Sequence, residues 1–311
     1  MEILLCTLVL TAGIVLLVKG ADWFVSGASE LAARLGVTQL VIGLTVVAMG
    51  TSMPEAAVSI SAVIKGNADI TIGNVVGSNI LNILIILGLS AAITPLAVGK
   101  STIKYELPFL TAVSMLLLIQ GLDGSISLAD GIVWLLFFGL YLAYLAVSTK
   151  KSNAKNEPEC KHPGNRKLRQ TILVCILGLA TTVTGSSIAV DAACELASRL
   201  GMSERFIGLT IVALGTSLPE LVTSVTAAKM GNSGIAIGNI VGSNIFNILF
   251  VVGLSALLHP VVFAPEFRFD CAVSAAASLL LIVFCLKDKK LKRRHGIWML
   301  AGYTAYFAAI L

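Results

Sequence analysis

The sequence predicts an all-α polytopic membrane protein, with ten transmembrane helices arranged as two inverted five-helix repeats. Three observations carry this expectation. Hydrophobic residues make up 57% of the 311 and charged residues only 13%, whereas soluble domains are about a quarter charged. Apolar windows of roughly twenty residues, the length that crosses about 30 Å of hydrocarbon, recur along the whole chain. The two halves of the chain also repeat one another.

The windows lie near 3–19, 37–64, 70–96, 106–120, 128–149, 170–188, 203–229, 235–258, 270–286 and 295–311. The first is expected to stay in the mature protein, because "MEILLC" carries Glu2 and no Lys or Arg, and a second window follows closely. Lys and Arg accumulate in cytoplasmic loops and so orient the chain. One alternate set of loops holds Lys19 and Arg34, Lys100 and Lys104, the 150–169 linker, Lys229 and the 287–294 cluster. The other set holds Lys65, Arg199, Arg205 and Arg268. The asymmetry places both termini outside the plasma membrane and the basic linker in the cytosol. The formal charge of +5 then reads as orientation and attraction to lipid headgroups, not nucleic-acid binding. The six cysteines form no CxxC pair and, Cys160 apart, fall in or beside apolar segments, as packing residues do.

The polar linker 150–169 divides a repeat at 1–149 (motif 43–90) from one at 170–311 (motif 208–255). "GLTVVAMGTSMPEAAVSISAVIKGN" returns as "GLTIVALGTSLPELVTSVTAAKMGN", and "IGNVVGSNILNIL" as "IGNIVGSNIFNIL". A constant offset of 165 residues carries Glu55 to Glu220 and Asn82 to Asn247. Five spans per half is an odd number, so the second copy sits upside down, an architecture of transporters with a mid-membrane site at the repeat interface. A duplicated channel subunit has the same repeat, but acidic residues beside helix breaks, without a pore-loop pattern, favour the transporter.

Pro54 has no N–H for the carbonyl of Gly50 and its ring crowds that turn, so the helix breaks there. Gly50 lowers the cost of the distortion, and the carbonyls from Ala48 to Thr51 are expected to face a cavity, since irregular backbone at membrane depth needs protein or water around it. Gly215, Pro219 and Glu220 repeat the device. The centre gathers two carboxylates (Glu55, Glu220) and four hydroxyls (Thr51, Ser52, Thr216, Ser217), all oxygen and without His or Cys. That set suits hard cations such as Ca²⁺, which takes six to eight oxygens. Carboxylates inside a membrane are costly unless a cation lies between them. The second block adds Ser78 and Asn82, and Ser243 and Asn247, each pair four apart on one helical face. Gly73, Gly77, Gly238 and Gly242 make small faces for close helix contact. Asn74 and Asn239 read either as ligands or as hydrogen-bonding glue between helices.

These paired blocks, with "GADWFVSG" on the first span, resemble the two α-repeats of the cation/Ca²⁺ exchanger superfamily, nearest its prokaryotic and archaeal Na⁺/Ca²⁺ exchangers. The resemblance covers nearly the whole chain. It implies antiport, three Na⁺ for one Ca²⁺, with spans 2, 3, 7 and 8 as an ion-binding core and spans 1 and 6 sliding across it to alternate access. It puts Ca²⁺ on Glu55, Glu220 and the carbonyls of Thr51 and Thr216. It puts Na⁺ on Ala48, Ser52, Ser78, Ala213, Ser217 and Ser243 together with the two glutamates, with Asn82 and Asn247 lining the middle. Relatives that depend on K⁺ carry Asp at the position of Asn247, so Asn in both copies implies K⁺-independent exchange. Relatives that exchange Ca²⁺ for H⁺ bear a further Glu after "GN", where this chain has Val75 to Gly77; Ca²⁺/H⁺ antiport is the alternative function. No cofactor and no obligatory protein partner are implied beyond the transported Na⁺ and Ca²⁺ and the surrounding lipid. Asp22, Glu30, Asp191 and Glu195 read as interfacial charges, and no catalytic motif supports an enzyme.

Overall fold

The computed structural model describes residues 2–153, 166–202 and 213–310. Most of the expected linker, including Cys160, and the start of the seventh expected span lie outside those residues. The chain forms α1 (Glu2–Leu35), α2 (Gln39–Thr51), α3 (Met53–Ile64), α4 (Ile70–Ile93), α5 (Thr102–Asp123), α6 (Leu128–Asn153), α7 (Leu168–Arg199), α8 (Leu218–Lys229), α9 (Ser233–Leu258), α10 (Phe267–Leu286) and α11 (Arg293–Ile310). Among the described residues seven helices are long and apolar enough to cross a membrane, and the bent pair α2–α3 makes an eighth. The ten expected spans therefore stand here as eight. The turn Ala213–Gly215 and α8 lie in the described part of the seventh expected span, and α11, over the tenth window, opens on the basic turn Arg293–His295 and is not counted among the eight.

The first helix is longer than the apolar window that announces it. α1 runs for 34 residues, about 51 Å at 1.5 Å per residue, so Lys19 and Arg34 lie on the helix and not in a loop. A helix longer than the hydrocarbon tilts or extends into the interface. Its glycines do not break it, because they lie against the backbone of α7, itself 32 residues long. A Cβ on Gly20 would come 2.5 Å from the Thr182 nitrogen, and one on Gly178 would come 2.5 Å from the Phe24 nitrogen. Gly13, Gly20 and Gly27 recur every seven residues and meet Ala189, Thr182 and Cys175 in turn, which sets an antiparallel register over most of both helices. In lipid, where apolar side chains gain little by leaving their surroundings, such backbone contact is what holds helices together.

α4 and α9 form the centre: 72% and 83% of their apolar windows are buried, against 17% for α1. Gly238 and Gly242 lie against Gly43, Leu44 and Ala48 of α2, the close helix contact expected of these small residues. Phe138 of α6 meets Phe246 and Phe250 of α9 in an aromatic cluster at 4.8–5.9 Å.

Two short sheets clasp the ends. β1 (Leu96–Ala97) pairs antiparallel with β4 (Lys290–Leu291), and β2 (Ser125–Ile126) with β3 (Val261–Val262). The 165-residue offset carries β1 onto β3 and β2 onto β4, so the two sheets are the same pairing with the copies exchanged. The first sheet joins two loops that the Lys/Arg pattern assigns to the cytosol, and the second joins two that it assigns outside. Turn chemistry repeats as well: α3 and α8 end at Gly66 (φ 81°) and Gly231 (φ 78°), each followed by an asparagine whose N–H closes back on the helix.

Candidate cation site

Both breaks fall where the prolines put them. Ser52 (φ −84°, ψ 7°) separates α2 from α3 and Ser217 (φ −89°, ψ 5°) precedes α8, with Pro54 and Pro219 in the first turn of the new helix. Pro is tolerated there because the N–H it lacks would have no helical partner. The axis bends by 46° between α2 and α3. Glu55 and Glu220 follow the prolines, so each carboxylate sits at a helix N-terminus, where the helix dipole favours negative charge. Both residues are fully buried.

Gly50 and Gly215 do a different job from the one expected. They lie within helical turns, Ala48–Thr51 and Ala213–Gly215, and not at the breaks. A Cβ on Gly50 would meet Leu179 at 2.9 Å, and one on Gly215 would meet Val190 at 2.6 Å, so their bareness lets α7 pass close to the site. The Ala48 carbonyl is not left free by the break either. It accepts from the Ser52 N–H at 3.0 Å and lies 3.4 Å from Ser243 Oγ.

The two copies meet through their hydroxyls. Ser52 Oγ donates to Glu220 Oε1 at 2.8 Å, and Ser217 Oγ donates to Glu55 Oε1 at 2.9 Å. Each carboxylate is thus held by the serine of the opposite copy. Asn74 Nδ2 donates to Ser59 Oγ and to the Glu55 carbonyl, and Asn239 Nδ2 to Ser224 Oγ and the Glu220 carbonyl. These asparagines tie α3 to α4 and α8 to α9 behind the carboxylates, which is the glue reading. Asn239 Oδ1 also lies 3.0 Å from Thr51 Oγ1.

At the middle, Asn79 and Asn244 exchange hydrogen bonds, each side-chain amide donating to the other's main-chain carbonyl at 3.1–3.2 Å. Their free amide oxygens then capture the neighbouring NH₂ groups: Asn82 Nδ2 donates to Asn244 Oδ1 at 2.9 Å and Asn247 Nδ2 to Asn79 Oδ1 at 3.1 Å. Asn247 Nδ2 also lies 3.2 Å from Ser78 Oγ. With its NH₂ end clamped, each amide can present only its oxygen. Asn82 and Asn247 each open a π-helical turn, Asn82–Leu87 and Asn247–Val252, a distortion frequent at functional sites. Neither the π turns nor the clamping role of Asn79 and Asn244 follows from spacing. The only signal is the doubled asparagine in "SNILN" and "SNIFN".

Among the described residues the buried oxygens without a hydrogen-bond donor include one on each glutamate and one on each asparagine of this centre: Glu55 Oε2, Glu220 Oε2, Asn82 Oδ1 and Asn247 Oδ1. A buried acceptor without a partner costs about 1–3 kcal/mol, more when charged. Two carboxylate and two amide oxygens left open are matched by a hard cation, and among the described residues no group of three His, Cys, Asp or Glu offers a softer site. Burial differs between the copies. Thr51, Asn239 and Gly242 are buried, while their counterparts Thr216, Asn74 and Gly77 are half-buried. Ala213 starts the turn Ala213–Gly215.

A helical membrane bundle whose centre is a set of donor-free oxygens drawn from two like halves is a carrier of hard cations. The profile of the sodium/calcium exchanger protein family matches residues 5–147 and 170–311. The chain belongs to that family, and it exchanges Na⁺ for Ca²⁺ across a membrane. It is 40% identical to the putative antiporter CaxA of Alkalimonas amylolytica, over 97% of this chain and 98% of that one. It is 34% identical to the sodium/calcium exchanger MaX1 of Methanosarcina acetivorans, over 97% of both. Its backbone is similar to a structure of the sodium-calcium exchanger NCX_Mj soaked with Na⁺ and Sr²⁺, at a TM-score of 0.86 and 36% identity, over 98% of this chain and 99% of that one.

Proposed function

We propose that the exchange runs through a single central site, with Ca²⁺ held by Glu55 and Glu220 and the carbonyls of Thr51 and Thr216. Three Na⁺ take its place, using Ala48, Ser52 and Ser78 from one copy and Ala213, Ser217 and Ser243 from the other, while Asn82 and Asn247 line the middle. The observation that carries this reading is the reciprocal serine–carboxylate pairing, which leaves one open oxygen on each glutamate. Two fixed negative charges make the Ca²⁺-loaded centre neutral and the centre loaded with three Na⁺ carry one net positive charge. Transport is then electrogenic, with about 2.3 kcal/mol per 100 mV acting on each net charge moved, and no group calls for K⁺.

The ten-span arrangement in two inverted halves is part of the same proposal. It is supported by the exchange of β1–β4 for β3–β2 at the 165-residue offset. Both termini lie outside the plasma membrane and the linker lies in the cytosol. The half-buried flank of Thr216, Asn74 and Gly77 then faces outward, and alternating access closes it while opening its counterpart. The test is ⁴⁵Ca²⁺ uptake into proteoliposomes under imposed Na⁺, K⁺ or H⁺ gradients. Accumulation driven by Na⁺ alone, and enhanced by an inside-positive potential when internal Na⁺ drives Ca²⁺ inward in the reverse sense of the charge movement, is expected; accumulation driven by H⁺ or requiring K⁺ refutes it. For topology, a single cysteine at Asn153 in a cysteine-free background should react with an impermeant reagent only from the cytosolic side.

A further inference from the structure

The 165-residue offset sets two turns side by side. Residues 287–294, between α10 and α11, carry six cations and one acid, whereas the matching residues 122–129 of the first copy carry no cation and one acid. Both turns close alike: the Val98 N–H donates to the Lys289 carbonyl at 2.8 Å, as the Phe263 N–H donates to the Gly124 carbonyl at 3.0 Å. Gly124 has φ 92°, and Lys289 takes up the same left-handed region at φ 51°, alone among the non-glycine residues described. A side chain there crowds its own backbone, and glycine avoids the clash. Orientation in the membrane calls for Lys or Arg in this turn, but not at its one left-handed position. A lysine held against its backbone preference, where the other copy has glycine, is the kind of outlier that accompanies a ligand clamp.

The six cations divide by what they touch. Lys292 pairs with Asp288 at 2.7 Å, Arg293 donates to the Ile93 carbonyl at 3.2 Å, and Arg294 Nε lies 3.3 Å from His295 Nε2. Lys287, Lys289 and Lys290 are exposed and make no side-chain hydrogen bond or ion pair among the described residues. The turn lies at the end of the span α10, at the level of the lipid headgroups. Next to the cations the surface becomes apolar: Leu286, before the first lysine, is 59% exposed, and Trp298, one helical turn after Arg294, is 67% exposed. Trp favours the boundary between headgroups and acyl chains. Free ammonium groups at the edge of an apolar flank are complementary to a negatively charged headgroup that carries acyl chains. We propose that Lys287, Lys289 and Lys290 hold the phosphate of an anionic phospholipid, whose chains enter the apolar level marked by Leu286 and Trp298.

The test uses the intact, delipidated protein in detergent, with bound lipid counted by native mass spectrometry. Short-chain phosphatidylglycerol, phosphatidylcholine of equal chain length and the chain-free headgroup glycerophosphoglycerol are titrated in turn. Phosphatidylglycerol is expected to bind at least about tenfold tighter than phosphatidylcholine, since each lysine near an anionic surface contributes about fivefold. Lys289→Gly installs the residue of the other copy, so it should lower that preference about fivefold while the midpoint of thermal unfolding without lipid holds or rises. Adding Lys287→Gln and Lys290→Gln should erase the rest, and Lys292, Arg293 and Arg294 remain to orient the chain. Lys65→Gln, which removes one exposed cation at the end of α3, should leave the preference unchanged. Equal binding of the two lipids, a preference that survives loss of all three lysines, or a loss as large in Lys65→Gln overturns the proposal. A lowered midpoint in Lys289→Gly overturns it too, because the lysine would then serve the fold. Binding of the chain-free headgroup as tight as that of the lipid overturns the assignment to a membrane lipid.

Discussion

Asn244→Leu is the substitution that most directly probes how the central amides are aimed. Asn244 supplies the oxygen that holds Asn82 Nδ2 at 2.9 Å and donates to the Asn79 carbonyl at 3.1 Å. Leucine keeps the branching at Cγ, though it is larger, and replaces neither bond. Asn82 then has a buried NH₂ without a partner, and its amide gains by turning so that nitrogen, not oxygen, faces the ion. Losing one aimed oxygen for part of the time should cost Ca²⁺ binding about 1–2 kcal/mol, a rise in KM of roughly 5- to 30-fold. The measurement is Na⁺-driven ⁴⁵Ca²⁺ uptake against Ca²⁺ concentration, in the single variants Asn244→Leu and Asn82→Leu and in the double variant. If Asn244 acts through Asn82, the double variant should match Asn82→Leu within about 0.5 kcal/mol. An unchanged KM in Asn244→Leu, or fully additive effects in the double variant, refutes the orienting role.

Three further outcomes follow from the same geometry. Glu55→Gln and Glu220→Gln should each abolish Na⁺-driven Ca²⁺ uptake while the protein still elutes as a folded species, and near-normal uptake in either would remove that carboxylate from the site. Asn247→Asp puts an acceptor against Asn79 Oδ1 and Ser78 Oγ, which now take N–H bonds at 3.1 and 3.2 Å. It also adds a third carboxyl at the centre, so uptake should become sensitive to K⁺ or to pH between about 6 and 8, and profiles that overlay the parent's would place Asn247 away from the ions. Gly20→Ala forces a methyl toward the Thr182 nitrogen, 2.5 Å from the ideal Cβ position, so the α1–α7 pair must separate. A fall of several degrees in the midpoint of thermal unfolding is expected, and an unshifted midpoint would show that the contact yields freely.

What could be read from the sequence was whatever the backbone dictates locally. Pro54 cannot donate, so the break before Glu55 was legible without any knowledge of its neighbours, and the repeat at Pro219 and Glu220 followed by inspection. The oxygen-only character of the motifs was equally plain. The length of α1 was not legible, because a glycine ends a helix or joins two helices according to what lies opposite, and Gly20 lies opposite Thr182. Gly50 was misread for the same reason: its neighbour Leu179 is far away in sequence. The serine exchange and the asparagine clamp depend on partners more than 160 residues distant, so spacing within one motif carried no trace of them. The tenth apolar window is matched by α11, whose basic first turn keeps it out of the count of spans made on length and composition.

Ser52 and Ser217 have a consequence for how such a chain can change over generations. Each serine serves the glutamate of the other half, so a substitution at either is a lesion in the copy that did not mutate. Two halves of like sequence are thereby yoked. Neither can drift toward a separate ion preference on its own, and either half expressed alone would carry a carboxylate with no serine to hold it. The motifs "GTSMPE" and "GTSLPE" differ by a single methionine-for-leucine exchange, at a position that supplies no side-chain oxygen to the other half.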